Sequence, residues 1–141
     1  QGDEGVYRYA KKNVPEGEDV PSDEYTGHWH DNLKHGIGKM AYAGVGVHYG
    51  YWDAGLRHGE GVMTYKNEDI YSGNWREGKK HGTGTYVFKE TGMKFMGKWE
   101  SGQIVHGEWK YPDGSKFNGT FDNNKPKGRG KWVFNNGNVV E

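Results

Sequence analysis

The sequence predicts an all-β protein, an elongated single-layer antiparallel meander of β-hairpins with little or no helix. Three observations carry that prediction. Aromatic residues recur every 23 positions, as Trp29, Trp52 and Trp75 and again as Tyr42, Tyr65, Phe88, Tyr111 and Phe134. Glycines alternate with the rings, as in Tyr71-x-Gly73-x-Trp75, so both fall on one side of an extended strand. Only 32% of the 141 residues are apolar, whereas 15% are aromatic and 25 are glycine, so a core has to be built from rings rather than aliphatic side chains.

Residues 1–9 contain "GVYRY" (Gly5, Tyr7, Tyr9) and read as the closing arm of an earlier repeat. Residues 10–24, "AKKNVPEGEDVPSDE", interrupt the period as an acidic, proline-containing loop insertion. Residues 25–134 then hold five units, beginning at Tyr25, His48, Tyr71, Phe95 and Phe117. Each reads Y-x-G-x-W, about six polar residues, G-x-G-x-x-x-Y/F and a short turn. His48 takes the first aromatic slot of the second unit. In the fourth, an extra residue in "KETGMK" delays Trp99, and a loop shorter by one residue brings Tyr111 back into register. Residues 135–141 start a further, truncated repeat with Val140 in the first aromatic slot. Ends that break off within a unit lead to the expectation of a segment from a longer array.

Within a unit the two arms are expected to pair around a loop such as "REGKKH", with Trp75 facing Gly82, Gly73 facing Gly84 and Tyr71 facing Tyr86. Glycine's entropic cost would then be offset by room for a ring beside bare backbone. The packing glycines on this reading are Gly27, Gly36, Gly38, Gly50, Gly59, Gly61, Gly73, Gly82, Gly84, Gly97, Gly107, Gly119, Gly128 and Gly130. The structural rings, and the candidate partner-binding face, are Tyr25, Trp29, Tyr42, Trp52, Tyr65, Tyr71, Trp75, Phe88, Trp99, Tyr111, Phe121 and Phe134. The opposite face is expected to be polar.

The segments "YTGHW...HGIGKMAY", "YGYW...HGEGVMTY", "YSGNW...HGTGTYVF", "FMGKW...HGEWKY" and "FNGTF...KGRGKWVF" resemble the MORN repeat. That resemblance implies an array of β-hairpins in one sheet. From residue 71 onward, the "ETG-x-K" insertion and the "NKPKGRGKWVF" arm are also similar to the MORN-repeat subunits of the ciliary radial spoke head. This narrower likeness implies a non-enzymatic scaffold and docking protein of the axoneme. Its partners would be other spoke-head subunits, with another MORN array among the candidates. Its location would be the cytoplasm and cytoskeleton, in the axoneme of a motile cilium or flagellum.

Other chemistries are weighed against this reading. The chain has no cysteine, so thiolate chemistry is excluded, and equal counts of 19 basic and 19 acidic residues argue against a nucleic-acid partner. His35, His58, His81 and His106 precede the H-G step of successive units. Equivalent positions two strands apart lie roughly 9.5 Å from one another, too far to share a zinc ion, so a metal site is not expected. The pairs Gly36/Gly38, Gly59/Gly61, Gly82/Gly84 and Gly128/Gly130 open strands rather than helices and lack a third glycine, so no phosphate or cofactor site follows. Ser22, Ser72, Ser101 and Ser115 fall in the linker, on the polar face or in turns, and no catalytic residue is expected.

Lys34, Arg57, Lys79, Lys80, Lys125 and Lys127 share the hairpin loops with Asp31, Asp53, Glu77, Glu100 and Asp122. Such mixed charge reads as a solvated rim or as cross-hairpin ion pairs, and disfavours a membrane partner. A membrane-tethering or phosphoinositide-binding adaptor, and the targeting region of a larger enzyme, are the alternative readings.

Overall fold

Extended alternation of rings and glycines leaves no apolar stripe for a helix to bury, and the described residues form strands joined by turns. The computed structural model describes residues 3–9 and 22–141, for residues 3 and 4 the backbone only. Most of the expected insertion, residues 10–21, lies outside the described residues.

Among the described residues, one open antiparallel sheet of 12 strands runs in chain order, each strand pairing with the next: β1 (Asp3–Arg8), β2 (Glu24–His30), β3 (Leu33–Tyr42), β4 (Gly46–Asp53), β5 (Leu56–Tyr65), β6 (Ile70–Arg76), β7 (Lys79–Val87), β8 (Lys94–Glu100), β9 (Gln103–Lys110), β10 (Lys116–Asp122), β11 (Lys125–Val133) and β12 (Val139–Val140). No helix occurs among the described residues. The expected all-β hairpin meander is therefore the observed fold. β1 pairs with β2 through Gly5 opposite Gly27 and Tyr7 opposite Tyr25, and β12 places Val140 opposite Trp132.

The hairpins are tighter than the polar stretches suggested. Where about six loop residues were expected, the turns are two residues long: Asp31-Asn32, Ala54-Gly55, Glu77-Gly78, Ser101-Gly102 and Asn123-Asn124, all at positive φ. These are the two-residue turns whose backbone twist matches that of the flanking strands. Most of each polar stretch is therefore strand.

The register confirms two of the three expected pairings and corrects the third. Tyr71 faces Tyr86 and Gly73 faces Gly84, but Trp75 faces Lys80 rather than Gly82. Two extra residues on β7, between Lys80 and Gly84, form a bulge at this point. The same offset occurs in the β2–β3 and β4–β5 hairpins, where Trp29 faces Lys34 and Trp52 faces Arg57. Gly82 pairs instead with Trp99 of the following hairpin, as Gly36 does with Trp52 and Gly59 with Trp75.

Gly36, Gly59, Gly82 and Gly128 are consequently not packing positions. Gly82 sits at φ 69°, and a side chain there would meet nothing closer than the Asn74 Cβ at 3.7 Å. Its role is conformational, since an L-residue in the left-handed region costs roughly 1–2 kcal/mol. Gly82→Ala is expected to destabilise by about that amount and Gly82→Asn by less, as read from urea midpoints.

The second glycine of each pair belongs to a different set. Gly5, Gly27, Gly38, Gly50, Gly61, Gly73, Gly84, Gly97, Gly107, Gly119 and Gly130 pair with one another from strand to strand, forming one row across the sheet. A Cβ on Gly50 would lie 2.5 Å from the Glu60 carbonyl oxygen and 2.5 Å from the Gly61 Cα. At Gly38, Gly84 and Gly130 a Cβ would run into the ring of Tyr25, Tyr71 or Phe117, which is the room-for-a-ring role, whereas at Gly50 it is the neighbouring backbone that leaves no space.

The fourth unit regains its register in an unexpected place. Its turn keeps two residues, Ser101-Gly102, and the bulge on β9 is one residue shorter, with Trp99 facing Ile104. Gly107 thereby joins the glycine row, opposite Gly97. His106 is thus not equivalent to His35, His58 and His81.

Candidate interaction face

The row of bare backbone decides where the rings go. Tyr25, His48, Tyr71, Phe95 and Phe117 start their units on the glycine-bearing face, each against tryptophan or phenylalanine rings. Tyr71 stands edge-on between Trp75 (5.1 Å between ring centres) and Trp99 (5.2 Å). Such edge-to-face contacts contribute about 0.5–1.5 kcal/mol beyond burial. Each fully buried indole also donates a hydrogen bond to a carbonyl of the glycine row: Trp52 to Gly38 at 3.0 Å, Trp75 to Gly61 at 3.2 Å and Trp99 to Gly84 at 3.0 Å. Tyr25 and Tyr71 donate to the carbonyls of His28 and Asn74.

Of the predicted rings, Tyr25, Trp52, Tyr71, Trp75, Trp99 and Phe121 are buried without any second layer, because they fill one another's space. Trp29, Tyr42, Tyr65, Phe88 and Tyr111 are half-buried, and Phe134 is exposed. The sequence reading left out several partners in this packing, namely Met40, Met63, Ile104, Trp109 and Trp132. Met40 and Met63 occupy the slot that Tyr86 fills on β7, directly opposite the first ring of the following unit. Parity from Gly38 and Gly61 would have placed them there.

Three cations were also missed. Lys34, Arg57 and Lys80, expected on a solvated rim, lie over the rings of this face instead. Lys34 donates to the Tyr9 hydroxyl at 2.8 Å and sits 5.5 Å from the Trp52 ring centre. The Arg57 guanidinium is 4.8 Å from Trp75 and donates to the Gly78 carbonyl at 2.6 Å. The Lys80 ammonium is ringed by Tyr65 (5.9 Å), Tyr71 (5.7 Å), Trp75 (6.0 Å), Tyr86 (5.8 Å) and Trp99 (5.9 Å). Contacts of this kind are worth about 0.5–1 kcal/mol when exposed and about 2 kcal/mol or more when desolvated. Positions 34, 57 and 80 repeat at the same 23-residue spacing as the rings, and that was the available signal. Among the rim charges, Lys127 and Asp122 do pair, at 3.2 Å.

Asp69 is buried among this aromatic set. It accepts from the Tyr86 hydroxyl at 2.8 Å and from the Lys89 backbone N–H at 2.9 Å. Burial and this carboxylate together raise the Tyr86 hydroxyl well above the usual phenol range.

His48 is fully buried between Trp52 and Trp75, and neither ring nitrogen has a hydrogen-bond partner. Burial, and secondarily Arg57, hold its pKa down to about 3 from an ordinary 6.5. The unfolded chain therefore binds a proton below pH 6.5 that the folded chain does not accept until about pH 3. Stability is full above pH 6.5 and falls as the pH drops through this window, with a slope of up to about 1.4 kcal/mol per pH unit. His48→Phe, which places in this slot the ring found at Phe95 and Phe117, should remove that component. Urea unfolding of both proteins at pH 7.5, 5.5 and 4.5 checks it, the variant's advantage growing as pH falls.

The opposite face is not uniformly polar. Ile37 pairs directly with Tyr51, and Tyr49 with Val62, and all four are exposed on β3, β4 and β5. The second unit, whose first ring is a histidine, thus carries tyrosines on its outer side.

The histidines of the H-G steps do not converge. Among the described residues no group of three His, Cys, Asp or Glu side chains is placed to hold a metal ion. His35 instead lies 3.5 Å from the Asp53 carboxylate.

The MORN repeat family profile matches residues 25–44, 48–70, 71–92 and 117–139. The unit that starts at Phe95, with its shortened bulge, falls between the matches. No curated protein matches the chain at a significant level.

Proposed function

The chain belongs to the MORN-repeat family, a class of protein-interaction or membrane-binding modules, and from that premise we propose that it is a non-enzymatic scaffold and docking protein. The observation that carries this reading is the half-buried ring row Tyr42, Tyr65, Phe88 and Tyr111, of which the first three pack against the buried rings and Tyr111 stacks on Trp109 and Trp132. The deep rings already fill the space over the glycines, so this outer row offers preformed apolar surface at little ordering cost. Aromatic side chains of that kind anchor protein partners.

The assembly proposed is the radial spoke head of a motile cilium or flagellum, with other spoke-head subunits or a second array as partners. The supporting features are the likeness of residues 90–94 and of residues 124–134 to spoke-head MORN subunits. Cross-linking mass spectrometry on isolated axonemes tests it. The expected result is links between this array and spoke-head subunits, weakened by Tyr65→Ala combined with Phe88→Ala. Absence from axonemes would remove the ciliary assignment. Salt-sensitive flotation with phosphoinositide vesicles would favour the membrane-binding alternative.

A further inference from the structure

Among the described residues, Lys80 is the one of the three cations on the ring-lined face without an oxygen partner. Lys34 has the Tyr9 hydroxyl and Arg57 the Gly78 carbonyl, whereas the contacts of the Lys80 ammonium among the described residues are to rings. An ammonium offers three donors, and rings compensate their desolvation only in part. Beside it opens a cavity of about 240 Å³ walled by Phe88, Phe95 and Trp99, with Asn124 on its border. The Asn124 Oδ1 accepts the Ile104 backbone N–H at 3.1 Å, which leaves the amide N–H groups as donors. The cavity lies where the cation series stops, since Ile104 takes the place opposite Trp99 that Lys80 takes opposite Trp75.

We propose that Lys80, Asn124 and this cavity form a subsite for a carboxylate side chain of an acidic peptide segment in a partner protein, with an apolar residue next to that carboxylate seated against Phe88, Phe95 and Trp99. The proposal rests on the docking reading above. Volume and donor set choose the occupant. The cavity is smaller than the roughly 300–1,000 Å³ of small-molecule sites, so it takes one or two side chains. A phosphate calls for a fork or nest of donors, whereas one ammonium and one amide between aromatic walls suit a carboxylate flanked by an apolar group. The sign is complementary as well, with three cations along the face at one per unit against one buried carboxylate, Asp69, which already accepts from Tyr86, Lys89 and Asn67. Burial, and then Arg57, hold the Lys80 pKa below its ordinary value, and an incoming carboxylate would reverse that shift.

The test uses the chain with the capped peptide acetyl-Leu-Glu-Phe-Glu-amide and its glutamine counterpart, read by NMR of the Trp99 indole N–H and the Lys80 side chain. Saturable shifts are expected with the acidic peptide, with binding about tenfold weaker for the glutamine peptide and for Lys80→Met and unchanged for Lys79→Met. Equal binding of the two peptides, equal binding by Lys80→Met, or no shift at all overturns the proposal. Displacement of the peptide by inorganic phosphate or by phosphoinositide vesicles at comparable concentration also overturns it, in favour of a general anion or lipid site. If Lys80→Met alters thermal unfolding, the comparison of the two peptides on the unaltered chain decides. Axonemal cross-linking judges the scaffold reading independently, so a failed subsite leaves that reading standing.

Discussion

Replacing Gly84 with alanine is expected to destabilise the array by about 2–4 kcal/mol, combining overpacking with the loss of one part-buried hydrogen bond. The added Cβ would overlap the Oη and Cζ of Tyr71 and lie 2.7 Å from its Cε1. Tyr71 is fully buried, flanked on both sides by indoles, and its hydroxyl donates to the Asn74 carbonyl at 3.0 Å. The ring cannot turn aside without displacing Trp75 or Trp99. Each strand contacts chiefly its chain neighbours, so the effect should be local, with hydrogen exchange accelerating first in β6, β7 and β8. Tyr71→Phe removes the overlapped hydroxyl, and the double variant should therefore be less destabilised than the sum of the two single changes. A cost for Gly84→Ala no larger than that for Gly82→Ala would contradict the division of the glycines into row and bulge positions.

Trp99→Ala should cost about 3–5 kcal/mol, the range for removing a large buried aromatic. Trp99 is 3% exposed, touches Tyr71 and Tyr86, and donates its indole N–H to Gly84. It joins two hairpins, since its hydrogen bond reaches back to the preceding unit. Trp99→Phe should retain much of the packing and lose the hydrogen bond, giving a smaller cost. Trp29→Ala should cost less than Trp99→Ala, because Trp29 is only half-buried. Guanidinium unfolding followed by circular dichroism orders the three, and an inverted order would show that burial on this face does not set its stability.

Much of the array was legible because strand parity is a local property. Alternation alone places Tyr71, Gly73 and Trp75 together and pairs Tyr71 with Tyr86 and Gly73 with Gly84. Parity carried straight through the turn failed at Trp75, since a bulge adds residues to one strand without leaving a gap in the pattern. The clue lay in the first glycine of each G-x-G, which could be read as space for a ring or as freedom for positive φ. The cations were misplaced for the same reason. Counting Lys80 as a loop residue set it on the rim, whereas a two-residue turn at Glu77-Gly78 and the bulge bring it opposite Trp75. On the outer face, the expectation of a polar side passed over Tyr49 and Tyr51, although the unit was already marked as different by His48 in its first aromatic slot and strand parity in "HYGYW" sets both tyrosines opposite Gly50.

By itself the sequence determined the repeat, the all-β meander and the ring-and-glycine face, because each follows from the two-residue periodicity of an extended chain. The tertiary structure decided which tryptophan leans on which glycine, where the lysines and Arg57 reside, and that His48 is sealed between two indoles. Those outcomes depend on hydrogen-bond register between strands. A bulge changes that register while leaving the sequence period untouched.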